Sequence, residues 1–287
     1  MPLANYTPFL VAGLFAVLFA IERLSPLRDS RIELFGRVLI NLAVSALAFL
    51  VALIVVRPCA TRSLEWTSQQ SFGLLHLIPV PSWVGAIIGF LLLDLSFYYW
   101  HLLNHKIPLL WRFHNVHHTD PALDVSTGFR FHFGEVLFST IFRVAQVSLI
   151  GVSIGTFAAY ELIFQANTLF HHSNVRLPIR LERLLNLILV TPRMHGIHHS
   201  QVRRETDSNF GVVFCGWDRL HRTLGLNVPQ SKIEIGIPGY SLPSDNRFFY
   251  SLVLPFCRQR DYWSKPGGIV PDRDASRLTP NPARLAE

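Results

Sequence analysis

Cysteine is scarce and scattered. Cys59, Cys215 and Cys257 stand far apart with no Cys-x-x-Cys among them, which excludes both a disulfide-stapled secreted fold and an iron–sulfur cluster. Charge is scarce too: 16% of residues are charged, 50% are hydrophobic and the mean hydropathy is positive. Such a balance is unusual for a water-soluble chain of this length. The cofactor and hydrolase signatures are also missing. There is no Gly-x-Gly-x-x-Gly for a dinucleotide, no His-Pro-Gly-Gly for haem (Lys265-Pro266-Gly267-Gly268 lacks the histidine) and no His-Glu-x-x-His of a zinc hydrolase. No solenoid repeat or low-complexity linker is present, and nothing points to nucleic acid.

What is abundant is apolar length. Residues 8–21 and 38–56 are nearly uncharged, and 83–103 carries Asp94 and ends at His101; these runs predict membrane spans. An ionisable group as deep as Asp94 is expected to face protein, not lipid. The apolar stretch 136–170 is broken by Gly151 and Gly155, which predicts two helices forming a hairpin. Residues 1–21 have no Lys or Arg before the apolar run and no small-residue cleavage motif after it, so the run is expected to be retained and not removed as a signal peptide. Arg23, Arg28, Arg31 and Arg37 crowd the connection 22–37, whereas 57–82 carries only Arg57 and Arg62. That asymmetry places 22–37, and the histidine clusters with it, on the cytoplasmic side. Arginines around 176–204 and 219–222 and the net charge of +7 agree, suiting anionic headgroups. The expected architecture is an all-α, multi-span transmembrane bundle with a cytosolic helical cap. It forms a single membrane-embedded domain over 1–264, its core at about 85–225, followed by a flexible tail at 265–287.

Histidine patterning carries the chemistry. His-x-x-His-His occurs twice, at His114/His117/His118 and His195/His198/His199, and His-x-x-x-His once, at His101/His105. With 13 histidines in 287 residues, chance would produce one such five-residue pattern roughly 3 times in 100. On a helix, residues three or four apart lie about 5–6 Å from one another on one face. Adjacent histidines diverge by roughly 100°, so one cluster can serve two neighbouring metal ions. A single structural zinc uses about four ligands and favours cysteine. Eight clustered imidazoles without a cysteine pair point instead to two metals with open positions, and iron is the metal that imidazole suits and that activates O2. Any one histidine taken alone reads equally well as a helix cap or a satisfied core residue.

The motifs resemble those of the fatty acid hydroxylase and sterol desaturase superfamily of integral-membrane di-iron enzymes, over roughly residues 85–225. The carriers are Asp94-Leu-Ser-Phe-Tyr-Tyr-Trp-His101-x-x-x-His105, Trp111-x-x-His114-x-x-His117-His118, Phe129-Arg130-Phe131-His132-x-x-Glu135, His171-His172-Ser173-Asn174, Thr191-Pro192-x-x-His195-x-x-His198-His199-Ser200, and Asp207-x-Asn209-Phe210-Gly211 followed by Trp217-Asp218-Arg219-Leu220. The resemblance implies a transmembrane bundle with a cytosolic cap and two non-haem iron ions between them. It also implies O2 as co-substrate and hydroxylation of an unactivated C–H bond of a lipid: sterol, fatty acyl or related.

The eight clustered histidines then map onto the family's metal ligands. His171 is the ninth, and Asn167, one turn before it, resembles the position where related enzymes use either a second histidine or an Asn that reaches the metal through water. His172 is expected to be a hydrogen bonder behind the ligands, with ligation in place of His171 as the alternative. Asp94, Asp207 and Asp218 are candidates to accept the Nδ1–H of ligand histidines. His132 is expected to orient its loop, while His76 and His221 stay outside the set. Phe129, Phe131, Phe133 and the run Tyr98/Tyr99/Trp100 are candidate lipid-tunnel walls or interfacial anchors. Oxygenation by O2 consumes two electrons that this chain has no cofactor motif to supply, so an external donor of cytochrome b5, ferredoxin or reductase type is expected. Desaturation on the same site is the alternative reaction; a zinc-dependent membrane hydrolase or a metal-binding carrier is the alternative of another class.

Overall fold

The computed structural model describes residues 3–29 and 32–273, so Arg31 and the segment 274–287 lie outside the described residues. Within them the structure is helical and contains no strand, only isolated bridges such as Leu189 with Phe214 and Ser200 with Ile235. Helix α1 (Leu3–Leu24) leads to α2 (Leu34–Val51), which passes through a π turn at Ala52–Val56 into α3 (Arg57–Gln70). Helix α4 (Ser82–Lys106) is followed by α5 (Pro108–His118), α6 (Phe133–Ile150) and α7 (Ile154–His172). Short helices complete the chain: α8 (Ile179–Leu185), α9 (Pro192–His198), α10 (Arg203–Thr206), α11 (Gly216–His221) and α12 (Phe248–Val253).

Four helices, Thr7–Leu24, Leu34–His76, Ser82–Lys106 and Phe133–Ile150, are long and apolar enough to cross a bilayer. The protein is an integral membrane protein. One sequence expectation changes here, because residues 57–70 are not a loop but continue the helix of α2. The π turn loosens the hydrogen-bond ladder just ahead of Pro58, where a proline can be accommodated. From Leu34 to Gln70 that helix runs about 55 Å, more than a hydrocarbon slab of about 30 Å, so α3 carries its arginines beyond it.

The break expected near Gly151 is a hairpin. Gly151 ends α6 with φ +73, and the Ser153 hydroxyl accepts the Thr156 N–H to start α7. Gly73 (φ +109) packs directly on this turn: a Cβ there would meet the Gly151 backbone at 2.6 Å. The α3–α4 connection and the α6–α7 turn therefore lie together at one end of the bundle, and the C-terminal ends of α4 and α7 lie at the other. Leu93, Phe97, Val147, Ile150 and Tyr160 form the core between them.

At the histidine end, the α1–α2 connection is locked to the cap. Arg37 pairs with Asp120 at 2.9 Å and with Asp124, Arg23 pairs with Asp124 at 2.7 Å, and Arg28 donates to Gln230 at 2.6 Å. Arg28 and Arg37 are thus buried against protein instead of facing headgroups, because Asp120 and Asp124 just after α5 supply the anionic partners of Arg37 and the Gln230 amide and Pro192 carbonyl accept from Arg28.

Candidate metal centre

Four elements deliver the histidines. His101 and His105 occupy the last turns of α4, and Ile107 then leaves the helix in an extended conformation so that Pro108 can start α5 in a new direction. That bend folds His114, His117 and His118 back over the end of α4. His172 closes α7, and α9, also started by a proline, brings His195 and His198, with His199 just beyond its end.

The side chains fall into two groups. His101, His105, His114, His118 and His198 form one, and His117, His172, His195 and His199 the other, with a nitrogen from every ring of a group lying within 4.8 Å of the rest. Adjacent histidines split between them: His118 and His198 go to the first group, His117 and His199 to the second. The groups are neighbours, since the His118 and His199 rings stack at 4.3 Å.

Both groups have the chemistry of a cation site. In the first, all five Nε2 atoms are buried and have no hydrogen-bond partner in the protein. In the second, Nε2 atoms meet Nε2 atoms at 3.1 Å (His117 and His172), 2.9 Å (His172 and His195) and 3.1 Å (His195 and His199). Nitrogens bound to one metal at about 2.1 Å lie roughly 3.0–3.4 Å apart. So many converging lone pairs repel one another unless a cation sits among them, and the residues present therefore fit a metal pair. Burial and the neighbouring imidazoles hold His117, His118, His195 and His199 well below the ordinary histidine pKa, and burial lowers His198 to about 3. At neutral pH these rings are uncharged and have a lone pair to give.

The opposite edges of the rings fix the tautomer. Nδ1–H of His101 donates to the Phe210 carbonyl at 2.8 Å, that of His198 to Ser208 at 2.7 Å, that of His117 to Arg130 at 3.3 Å and that of His172 to Thr168 at 2.7 Å. His114 donates to the Glu135 carboxylate at 2.8 Å. A carbonyl has no proton to offer, so the proton stays on Nδ1 and the Nε2 lone pair faces the centre.

Residues 86–223, which enclose both groups, match the fatty acid hydroxylase family model. Over that stretch the chain is similar to fatty acid hydroxylases. An ornithine lipid hydroxylase from Rhizobium tropici is 32% identical over 174 residues, covering 61% of this chain and 51% of that protein. The alkylglycerol monooxygenase of Homo sapiens is 30% identical over 186 residues (61% and 39%), and the cholesterol 25-hydroxylase of Mus musculus 31% over 154 (53% and 50%). The chain thus spans about half the length of these relatives or less. No solved structure is significantly similar.

In this chain several residues sit elsewhere than their spacing suggests. His172, not His171, enters the second group. The 100° step between adjacent helix positions turns His172 toward α5 and α9, and its bond to Thr168 one turn back holds it there. His171 lies beside the group, its ring 4.1 Å from that of His195 and its Nδ1 3.3 Å from Asn167 Nδ2. Asn167 donates to the Val212 carbonyl at 2.5 Å, so it ties α7 to the cap backbone.

None of the three aspartates meets a histidine of either group. Asp94 accepts from Phe214 N at 3.0 Å and Trp217 Nε1 at 2.8 Å, Asp207 pairs with Lys106 at 2.8 Å, and Asp218 accepts from Phe210 N at 2.8 Å and Gly211 N at 2.9 Å. Backbone carbonyls have taken the place expected for carboxylates, and Asp218 acts one step further out by fixing the peptide whose carbonyl holds His101. A Cβ at Gly211 would lie 2.7 Å from the Asp218 carboxylate, which explains the glycine. His132 caps α6 by accepting the Gly134 N–H at 2.9 Å. His221 bonds Tyr99 at 2.8 Å, outside both groups, and His76 lies at the glycine-turn end of the bundle, near Gly151. Among the candidate tunnel aromatics, Phe131 stacks on His117 at 4.7 Å, whereas Phe129 packs on Phe15 and Trp100 on Phe142. Glu135 was read only as part of a loop string. Its contact with His114 joins α5 to α6, and no local spacing encodes that.

Proposed function

We propose that this protein is a membrane-bound di-iron oxygenase that hydroxylates an unactivated C–H bond of a lipid, using O2 and electrons from a separate donor protein. The observation that carries this reading is the pair of adjacent, buried, all-histidine groups at the ends of helices long enough to span a bilayer. In this reading His101, His105, His114, His118 and His198 hold one iron, and His117, His172, His195 and His199 the other. Bound iron supplies the O2 activation that no amino acid side chain provides.

The rest is the work of this chain. The Nδ1 acceptors hold the rings in the metal-binding tautomer, and burial keeps water and stray protons from the centre. The site lies at the end of the spans, where a lipid chain can reach it without leaving the membrane. The relatives are named for an ornithine lipid, an alkylglycerol and cholesterol. These differ in headgroup and share a long apolar body, which supports a lipid substrate without choosing among lipids. The arginine-rich ends support a cytoplasmic site, and the ion-paired α1–α2 connection supports one membrane-embedded domain through residue 264.

Lipid mass analysis of a deletion strain and its complemented counterpart, grown under 18O2, tests the proposal. The expected result is a lipid present only on complementation and carrying one 18O atom. A complementation-dependent lipid that has lost two hydrogens without 18O would establish desaturation instead.

A further inference from the structure

Asp94 stands midway along α4, about 16 Å from His105 by helix rise, a depth at which an ionisable group needs protein partners. It has them: the Tyr160 hydroxyl of α7 donates at 3.4 Å, and the others come from the cap. Val213 N, Phe214 N and the Trp217 indole all donate to its carboxylate. The stretch 213–217 is itself bridged to 188–190, with Val190 N bonded to Val213 O and Cys215 N to Ile188 O, both at 3.0 Å. A non-helical ribbon of the cap therefore runs alongside α4 well below the histidines.

The outer side of this ribbon is apolar. Leu187 and Ile188 are each 60% exposed, and Ile179, Leu181, Leu184 and Leu220 are exposed beside them. Its backbone donors are nonetheless all paired: the N–H groups of residues 186–190 reach carbonyls, and the Asn186 carbonyl accepts from Arg219 at 2.7 Å. Pairing these donors lowers the cost of resting the turn at the edge of the acyl layer, where each unsatisfied backbone group is expensive. The exposed charges of the segment are all basic, Arg176, Arg180, Arg183 and Arg219, while its acid, Glu182, is turned inward and buried.

We propose that residues 179–189, together with Leu220, dip into the leaflet on the histidine side, burying their leucines and isoleucines at the acyl boundary and setting the arginines among anionic headgroups. Lys and Arg stems reach upward from such positions while their charges stay hydrated. The ribbon leads within a few residues into α9, so the depth at which it rests helps set the height of His195 and His198 above the bilayer.

The test uses the full chain in lipid nanodiscs, with Cys59 and Cys257 replaced by Ser, Cys215 being buried. An environment-sensitive fluorophore is placed at Ile188→Cys and, for comparison, at the exposed cap position Lys232→Cys. At position 188 the expected result is blue-shifted emission, quenched by lipids spin-labelled near the top of the acyl chain and insensitive to aqueous iodide. Position 232 is expected to show the reverse. Iodide quenching at 188 equal to that at 232 would overturn the insertion. Replacing phosphatidylglycerol by phosphatidylcholine is expected to weaken the lipid quenching at 188; no change would overturn the role given to the arginines.

Discussion

At the residue scale, the difference between His171 and His172 is one helical step, and it decides which ring belongs to the centre. His172→Ala is expected to abolish product formation and remove one metal, whereas His171→Ala leaves both metals bound with reduced activity; metal analysis and product assays on the two variants separate them. Glu135 is the carboxylate behind the first group, so Glu135→Gln is expected to lower metal affinity or turnover by about 10–100-fold, with the protein still inserted. Acid acts through the same rings. Burial depresses His117, His118, His195, His198 and His199 in the folded chain, so an unfolded chain takes up protons below pH of about 6.5 that the folded one refuses. Stability of the metal-free protein is therefore expected to be level above that pH and to fall as pH drops below it, read by thermal melting across the range; a rise toward acid would contradict the assignment. The clustered histidines were legible because helical spacing alone puts them on one face. Their Nδ1 acceptors were not, since the Phe210, Ser208 and Arg130 carbonyls arrive from other parts of the chain and leave no residue-type signature.

At the element scale, the site depends on how helix ends are joined. Pro108 and Pro192 start the two helices that bring back the His-x-x-His-His clusters, and the Gly73–Gly151 contact closes the other end of the bundle. The hairpin was readable because Gly151 and Gly155 break the apolar run and the histidines before and after it can share metals only if the chain returns to the same face. The continuation of α2 through Arg57 and Pro58 was not, because basic residues and a proline ordinarily mark a loop and only the π turn reconciles them with a helix. Asp94 faces protein as expected but meets no ligand histidine, since its donors are Tyr160, 66 residues on, and Val213, Phe214 and Trp217, more than 100 residues away in sequence. Asp94→Ala removes the acceptor of two backbone N–H groups, an indole N–H and the Tyr160 hydroxyl, each left unpaired at a cost of about 1–3 kcal/mol. The expected outcome is a lower melting temperature together with partial loss of metal, as the ribbon leading to α9 loosens; an unchanged melting temperature would show that the ribbon is held by other contacts.

At the scale of the whole molecule, both histidine groups lie on one side of the membrane because α6 and α7 form a hairpin and α4 and α7 end together. Reporter fusions after Glu33, Ser71, Pro121 and Arg204 are expected to read inside, outside, inside, inside; opposite readings for the last two would break the common centre. The central claim is that nine histidines, divided five and four, hold two metal ions. Iron analysis of the purified full-length protein, loaded under reducing conditions and stripped of loosely bound ions, tests it most directly. The account predicts close to two irons per chain, falling toward one in His198→Ala and in His172→Ala; a wild-type value near one, unmoved by either substitution, would contradict it.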